Sequence, residues 1–201
     1  MSQMTQEDAR RRAFHNLSLA LDTRSRLPGR VYHGAWNRFL FFESDRVFAP
    51  EFAGVIGELL KLEGGQVACL LNIDKATLVE SKMRGAIFLD AITTNRSYEA
   101  ALEGDGPANG WIYQMDNYGC MSDIGEWCIY CEKANDIALI ALRETTIDEN
   151  KFEIPLQHLC AKPIEQLISG GDSPLFPFDH LVPAWRKGLI DNYGSAGSQK
   201  S

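Results

Sequence analysis

The chain reads as an α+β protein: a single domain whose mainly antiparallel sheet is centred on a three-stranded meander, with helices packed on it. Three observations predict this. Between Trp111 and Leu142 lie three short apolar runs, each rich in aromatic or β-branched residues and bounded by Asp, Asn or Gly, the signature of strands. Elsewhere apolar residues recur at helical spacing, as in Phe52, Val55, Ile56, Leu59 and Leu60. The 201 residues, 45% hydrophobic, suffice for one full core, and domains of about 100 to 200 residues make one domain the default. The domain is expected to span 1–193, followed by a small, polar, flexible tail over 194–201.

Taken in order, residues 7–21 set Ala13, Leu17, Ala20 and Leu21 on one face and predict an amphipathic first helix. Arg24, Arg26 and Arg30 surround Leu27-Pro28-Gly29 in a positively charged turn. Without aromatic interleaving or a glycine cradle, it reads as a solvated loop rather than a nucleic-acid contact. The aromatic run from Trp36 to Phe42 is a buried strand or short helix. Pro50 opens the helix carrying Phe52 to Leu60, which Gly64-Gly65 ends. Val67 to Leu71 is a strand, Ile87 to Ile92 can be another, and Tyr98 to Leu102 looks helical. Three glycines and a proline between Gly104 and Gly110 mark a loop that delivers the chain to the meander.

The meander itself is read as Trp111–Met115, Glu126–Glu132 and Ile137–Arg143, with Lys133 to Asp136 closing its second hairpin because Asn and Asp tolerate left-handed backbone. The helices are expected against one face. The almost wholly apolar second and third strands, however, ask for cover on both faces. Thr145 to Glu153 is polar. Leu156 to Ile168 returns to helical spacing, started or kinked at Pro163 and ended by Gly170-Gly171. Pro174 to Phe178 is an extended arm, and Pro183 leads a last helix over Val182 to Ile190.

Net charge is −7, split into +3 over residues 1–46 (eight Lys or Arg, five acids) and −10 over 47–201 (twelve against twenty-two). An acidic body disfavours nucleic acid and favours a cationic protein partner. No window holds the roughly 18 to 20 apolar residues of a membrane helix, and the start is polar and acidic where a secretory signal is basic and then apolar. A soluble, cytoplasmic protein is expected. The odd count of five cysteines suits a reducing compartment.

Several constellations bear on chemistry. Cys128-Ile-Tyr-Cys131 has half a zinc site's spacing, with His158 and Cys160 as further soft ligands, but residues three apart in a strand point to opposite faces, so neither a metal nor a redox pair is expected there. Cys120, read in an Asn-Tyr-Gly-Cys-Met turn, is the thiol expected to be most exposed, with His15, His33, His158 and His180 as conceivable bases. The acids Asp116, Asp123, Glu126, Glu132 and Asp136 gather at the meander's ends, where carboxylates bind a partner, hold a cation or act as acid and base. Nucleotide-cradling, serine-nucleophile and zincin motifs are absent from the sequence. No cofactor is implied.

Trp127-Cys-Ile-Tyr-Cys-Glu followed by Asn135-Asp-Ile-Ala-Leu-Ile resembles the strand, turn and strand of small acidic bacterial proteins of the toxin-immunity kind, over residues 111–143. The resemblance implies a non-enzymatic protein that binds and blocks a partner, and it carries no binding residue across; the acidic surface expected to meet that partner is read from the clustered charges of Asp116, Asp123, Glu126, Glu132 and Asp136. The alternative is a small hydrolase-type enzyme using Cys120 or the carboxylates near Asp116 and Asp123.

Overall fold

The computed structural model of the chain describes residues 5–75, 85–143, 150–168, 178 and 181–195. They form one α+β unit around a six-stranded antiparallel sheet. The strands are β1 (Arg38–Glu43), β2 (Val67–Asn72), β3 (Ala86–Asp90), β4 (Asn117–Ser122), β5 (Trp127–Glu132) and β6 (Ile137–Leu142), and they lie in the order β1-β6-β5-β4-β2-β3. The meander β4-β5-β6 therefore sits at the centre. Its registers run Met121↔Cys128 and Tyr118↔Cys131 on one side of β5, and Ile129↔Ile140 and Glu132↔Ile137 on the other.

Strand alternation divides the interior into two cores, because successive side chains of each strand point to opposite faces. One face gathers Phe41, Cys69, Met121, Cys128, Tyr130, Leu139 and Ala141 under α1 (Gln6–Ala20), α6 (Ile164–Ile168) and α7 (Pro183–Tyr193). The other gathers Leu40, Leu70, Tyr118, Trp127, Ile129, Cys131 and Ile140 under α2 (Asp45–Phe48), α3 (Phe52–Glu63), α4 (Asn95–Glu103) and α5 (Glu153–His158). Helices thus cover both faces, not one. Every residue of β2, β5 and β6 is buried, which two-sided cover requires.

Most elements fall where the spacing placed them. Thr5 caps α1 by accepting from the Asp8 amide, and Gly64, in left-handed backbone at φ 77°, closes α3. α1 lies so close to β4 that a Cβ on Gly119 would meet Leu21 Cδ1 at 2.5 Å and Leu17 Cδ1 at 3.1 Å. Glycine is what that approach needs.

Two segments differ from their sequence reading. Trp111–Tyr113 is a single 3-10 turn, and the first meander strand begins at Asn117 instead. Trp111 and Ile112 pack at the rim of a core and lend their carbonyls to Lys133, while Asn117–Ser122 has the alternation that two-sided burial demands: Tyr118 and Cys120 face one core, Met121 the other. Tertiary burial has overridden local β propensity. Likewise 156–168 is two short helices, because Cys160 takes φ 55° and Lys162 leaves the helix to exchange two backbone hydrogen bonds with Phe41 on the outer edge of β1, 2.8 and 2.9 Å. The Gly170-Gly171 stop, the extended arm before Phe178 and the tail beyond residue 195 lie outside the described residues. Among the described residues no helix is long and apolar enough to cross a membrane.

Candidate functional site

The five acids selected from the sequence do not share one surface. Asp116, Glu132 and Asp136 lie at the end of the sheet closed by the β5–β6 hairpin, whereas Asp123 and Glu126 lie in the β4–β5 turn at the opposite end. Seven strand-like steps at about 3.3 Å each separate Asp116 from Asp123 by roughly 23 Å. Carboxylates so far apart cannot work on one reacting bond, so these two form no acid and base pair.

Burial divides the set again. Asp123 is 1% exposed, and its Oδ1 accepts from the Gln66 and Val67 amides at 2.8 and 3.1 Å, tying the entry of β2 to the turn. Glu132 is 6% exposed, with Oε2 accepting from the Leu27 amide and the Tyr130 hydroxyl, both at 3.1 Å, while Asn135 donates to Oε1. Both are interior fastenings held by hydrogen bonds, although Asp123 Oδ2 is buried with no hydrogen-bond partner among the described residues. Neither contributes to a surface that a partner could meet.

The remaining three reach solvent. Glu126 is held by Lys151 at 2.6 Å. Asp116 receives a hydrogen bond from Asn72 at 2.8 Å and pairs with Lys75 at 3.0 Å. Burial works to raise the Asp116 carboxyl, but Asn72 and Lys75 outweigh it, and the group lies below its ordinary value. Asp136, in left-handed backbone at φ 57°, is exposed.

The hairpin end gains two acids that the sequence reading passed over. Glu43 ends β1 directly opposite Ile137, and Asp45 opens α2 one residue after Ser44, whose amide bonds the Asp136 carbonyl at 3.0 Å. Glu43, Asp45 and Asp136 are exposed, and none is in an ion pair among the described residues. Beneath them the Lys133 ammonium is turned inward, donating to the Ile112 and Trp111 carbonyls at 2.5 and 3.3 Å and lying 4.3 Å from the centre of the Phe48 ring. Burial pulls its pKa down, against the attraction of Asp45 and Asp116. The Lys133 ammonium is thus occupied below the surface. The signal for Glu43 and Asp45 was present in the sequence as two acids ending an aromatic run.

Comparisons with protein-family models, with curated proteins and with solved structures found no match.

Cys120 is interior to β4, fully buried and facing the α3 core, not in an exposed turn. Burial first, then the neighbouring thiols of Cys69 and Cys128, pushes its pKa well above the ordinary thiol value, so it offers no thiolate. Cys160 is the exposed thiol. Cys128 and Cys131 belong to different cores on opposite faces of β5, and so cannot converge on one ion. Among the described residues, no three of His, Cys, Asp and Glu are grouped to hold a metal.

Proposed function

We propose that this chain is a non-enzymatic binding protein that presents an acidic corner to a basic protein partner, as a toxin-neutralising protein of the immunity kind does. The observation that carries the reading is the corner of Glu43, Asp45 and Asp136, three exposed carboxylates free of ion pairs among the described residues and borne on three adjoining elements. Carboxylates held in no ion pair at a sheet end act on a partner from a distance. They raise the rate of encounter with a cation-bearing surface and are screened beyond about 8 to 10 Å at ordinary salt. The rest of the chain's negative balance points the same way. Cytoplasmic residence belongs to this reading, since four of the five thiols are buried and none is paired.

The test is a partner captured on the tagged chain, identified, and then measured in purified form. The triple variant Glu43→Lys, Asp45→Lys and Asp136→Asn, which keeps at 136 a residue that tolerates left-handed backbone, is expected to fold normally, because surface changes usually stay within about 0.5 kcal/mol each. It should associate at least roughly tenfold more slowly than the wild type, whose own association should slow as salt rises. A captured partner that is acidic, or one that binds the triple variant at the wild-type rate, overturns the reading.

A further inference from the structure

Residues 111–116 pass directly beside the acidic corner, and Lys133 ties the two together. Its ammonium donates to the Trp111 and Ile112 carbonyls and lies against the ring of Phe48, which ends the helix that Asp45 opens. Two of the side chains that follow stand open to solvent: Tyr113 is 52% exposed and Met115 is 60% exposed. The turn that bears them is fixed from within. The Tyr113 amide donates to the Gly110 carbonyl, and the Gln114 amide and the Tyr118 hydroxyl donate to the Trp111 carbonyl, each at 3.2 Å. A Cβ on Gly110 would collide with the Glu103 carbonyl and lie 3.0 Å from Tyr113 Cδ2, so the ring is seated over a glycine. Apolar surface held in this way gains nothing for the fold while it stays in water, and little freedom is lost when something covers it.

The charges on either side of this pair differ. Towards the corner, Glu43, Asp45 and Asp136 hold no ion pairs among the described residues. Away from it, Asp116 pairs with Lys75 at 3.0 Å and Asp74 with Arg26 at 2.6 Å. Tyr113 and Met115 thus lie between open negative charge and balanced charge. A partner surface of basic residues alone would leave the pair uncovered, and a wholly apolar one would leave the carboxylates unanswered. The complement to both is a protein segment in which Arg or Lys flanks a large apolar side chain. Tyrosine and methionine suit it, because an aromatic face attracts a guanidinium and an unbranched thioether moulds to an irregular apolar neighbour. We propose that Tyr113 and Met115 are the apolar anchor site of the partner surface, receiving a large apolar side chain from a basic segment whose cations lie on the acidic corner. This rests on the function proposed for that corner, and it divides the kinetics between the two: the corner governs how fast the segment arrives, the anchor how slowly it leaves.

Two synthetic peptides of equal charge test the proposal, one alternating arginine with leucine and the other arginine with serine. Their binding to the immobilised full chain is followed in real time at several salt concentrations. The leucine peptide is expected to leave the wild type at least roughly tenfold more slowly than the serine peptide, as an anchoring contact requires. In Tyr113→Ser/Met115→Ser, with the fold checked by circular dichroism, that difference should disappear while both association rates and their salt dependence stay at wild-type values. Met115→Ser alone makes the same comparison if the double variant loses its fold. Val182→Ser alters a residue just as exposed, 63%, ahead of α7, and should leave the difference unchanged. Glu43→Lys/Asp45→Lys/Asp136→Asn should slow the arrival of both peptides and preserve their difference in dissociation. Equal dissociation of the two peptides from the wild type overturns the anchor. So does a folded Tyr113→Ser/Met115→Ser protein that still tells them apart, or a Val182→Ser protein that no longer does. Arrival at the wild-type rate on the corner variant overturns the reading of the corner instead, and the difference between leucine and serine then still upholds the anchor.

Discussion

Glu63, at the C-terminal end of α3, shows at the scale of one residue how position sets chemistry. Its Oε1 accepts from Trp127 Nε1 at 2.9 Å and its Oε2 from the Glu126 amide at 3.3 Å, so one carboxyl joins α3 to the start of β5. Burial raises its pKa to about 7, opposed by the hydrogen bonds from Ser122, Glu126 and Trp127 and assisted by the Glu126 charge. The folded state therefore holds this proton more tightly than the unfolded chain does. Its stabilising contribution is complete below the unfolded value of 4.5 and is lost as pH rises through about 7. At 1.36 kcal/mol per unit the full swing is on the order of 3 kcal/mol. Urea midpoints at about pH 5 and about pH 8 should thus favour the lower pH more in the wild type than in Glu63→Gln, which cannot titrate. Equal pH slopes in the two proteins would show that Glu63 does not couple folding to protons. None of this is legible in a sequence, where Glu63 is only a charge on the outer face of a helix. The same blindness affected Asp123 and Glu132: strand ends attract acids, but only the folded backbone decides which of them fasten amides and which meet water.

Among the elements, β6 tests the architecture most sharply. Ile140 lies opposite Leu40 of β1 and Ile129 of β5, and all three point into the α3 core with Ile140 fully buried. Ile140→Ala should cost about 2 to 5 kcal/mol, the range for emptying a packed site that cannot collapse. A loss below about 1 kcal/mol in equilibrium denaturation would mean that this strand is not sandwiched between two strands and a layer of helices. β6 was legible because Ile-Ala-Leu-Ile-Ala-Leu is uniformly apolar and flanked by breakers, so length and composition alone define it. β4 was not. Its Asn117, Gly119 and Ser122 are poor strand formers, and only the close passage of α1 over Gly119 and pairing on both edges, with β2 and β5, make a strand of it.

Over the whole molecule, the decisive feature is that one sheet serves as a wall to two cores. Neither core is closed by local sequence: β1 pairs with β6 in the register Arg38↔Leu142, and α1 must fold back over strands that follow it by fifty to a hundred residues. Such long-range pairing makes folding slow and strongly cooperative, since loop closure must be met before any of these contacts forms. Trp36 lies in the α1 core, with the Arg143 guanidinium 4.4 Å from its ring centre, and Trp127 lies in the α3 core against Glu63. Trp185 packs on the first core and Trp111 on the second, so the double variant Trp36→Phe/Trp185→Phe leaves only the second core reported, by Trp111 and Trp127, and Trp111→Phe/Trp127→Phe leaves only the first, by Trp36 and Trp185. In each variant the unfolding curve followed by tryptophan fluorescence should coincide with that followed by far-ultraviolet circular dichroism, the behaviour of a single cooperative unit. Each variant loses different packing and has its own midpoint, but within a variant the probes should agree. If fluorescence from one core is lost while half or more of the secondary structure persists, the two faces melt independently, and the sheet is not the shared wall that its strand alternation makes it.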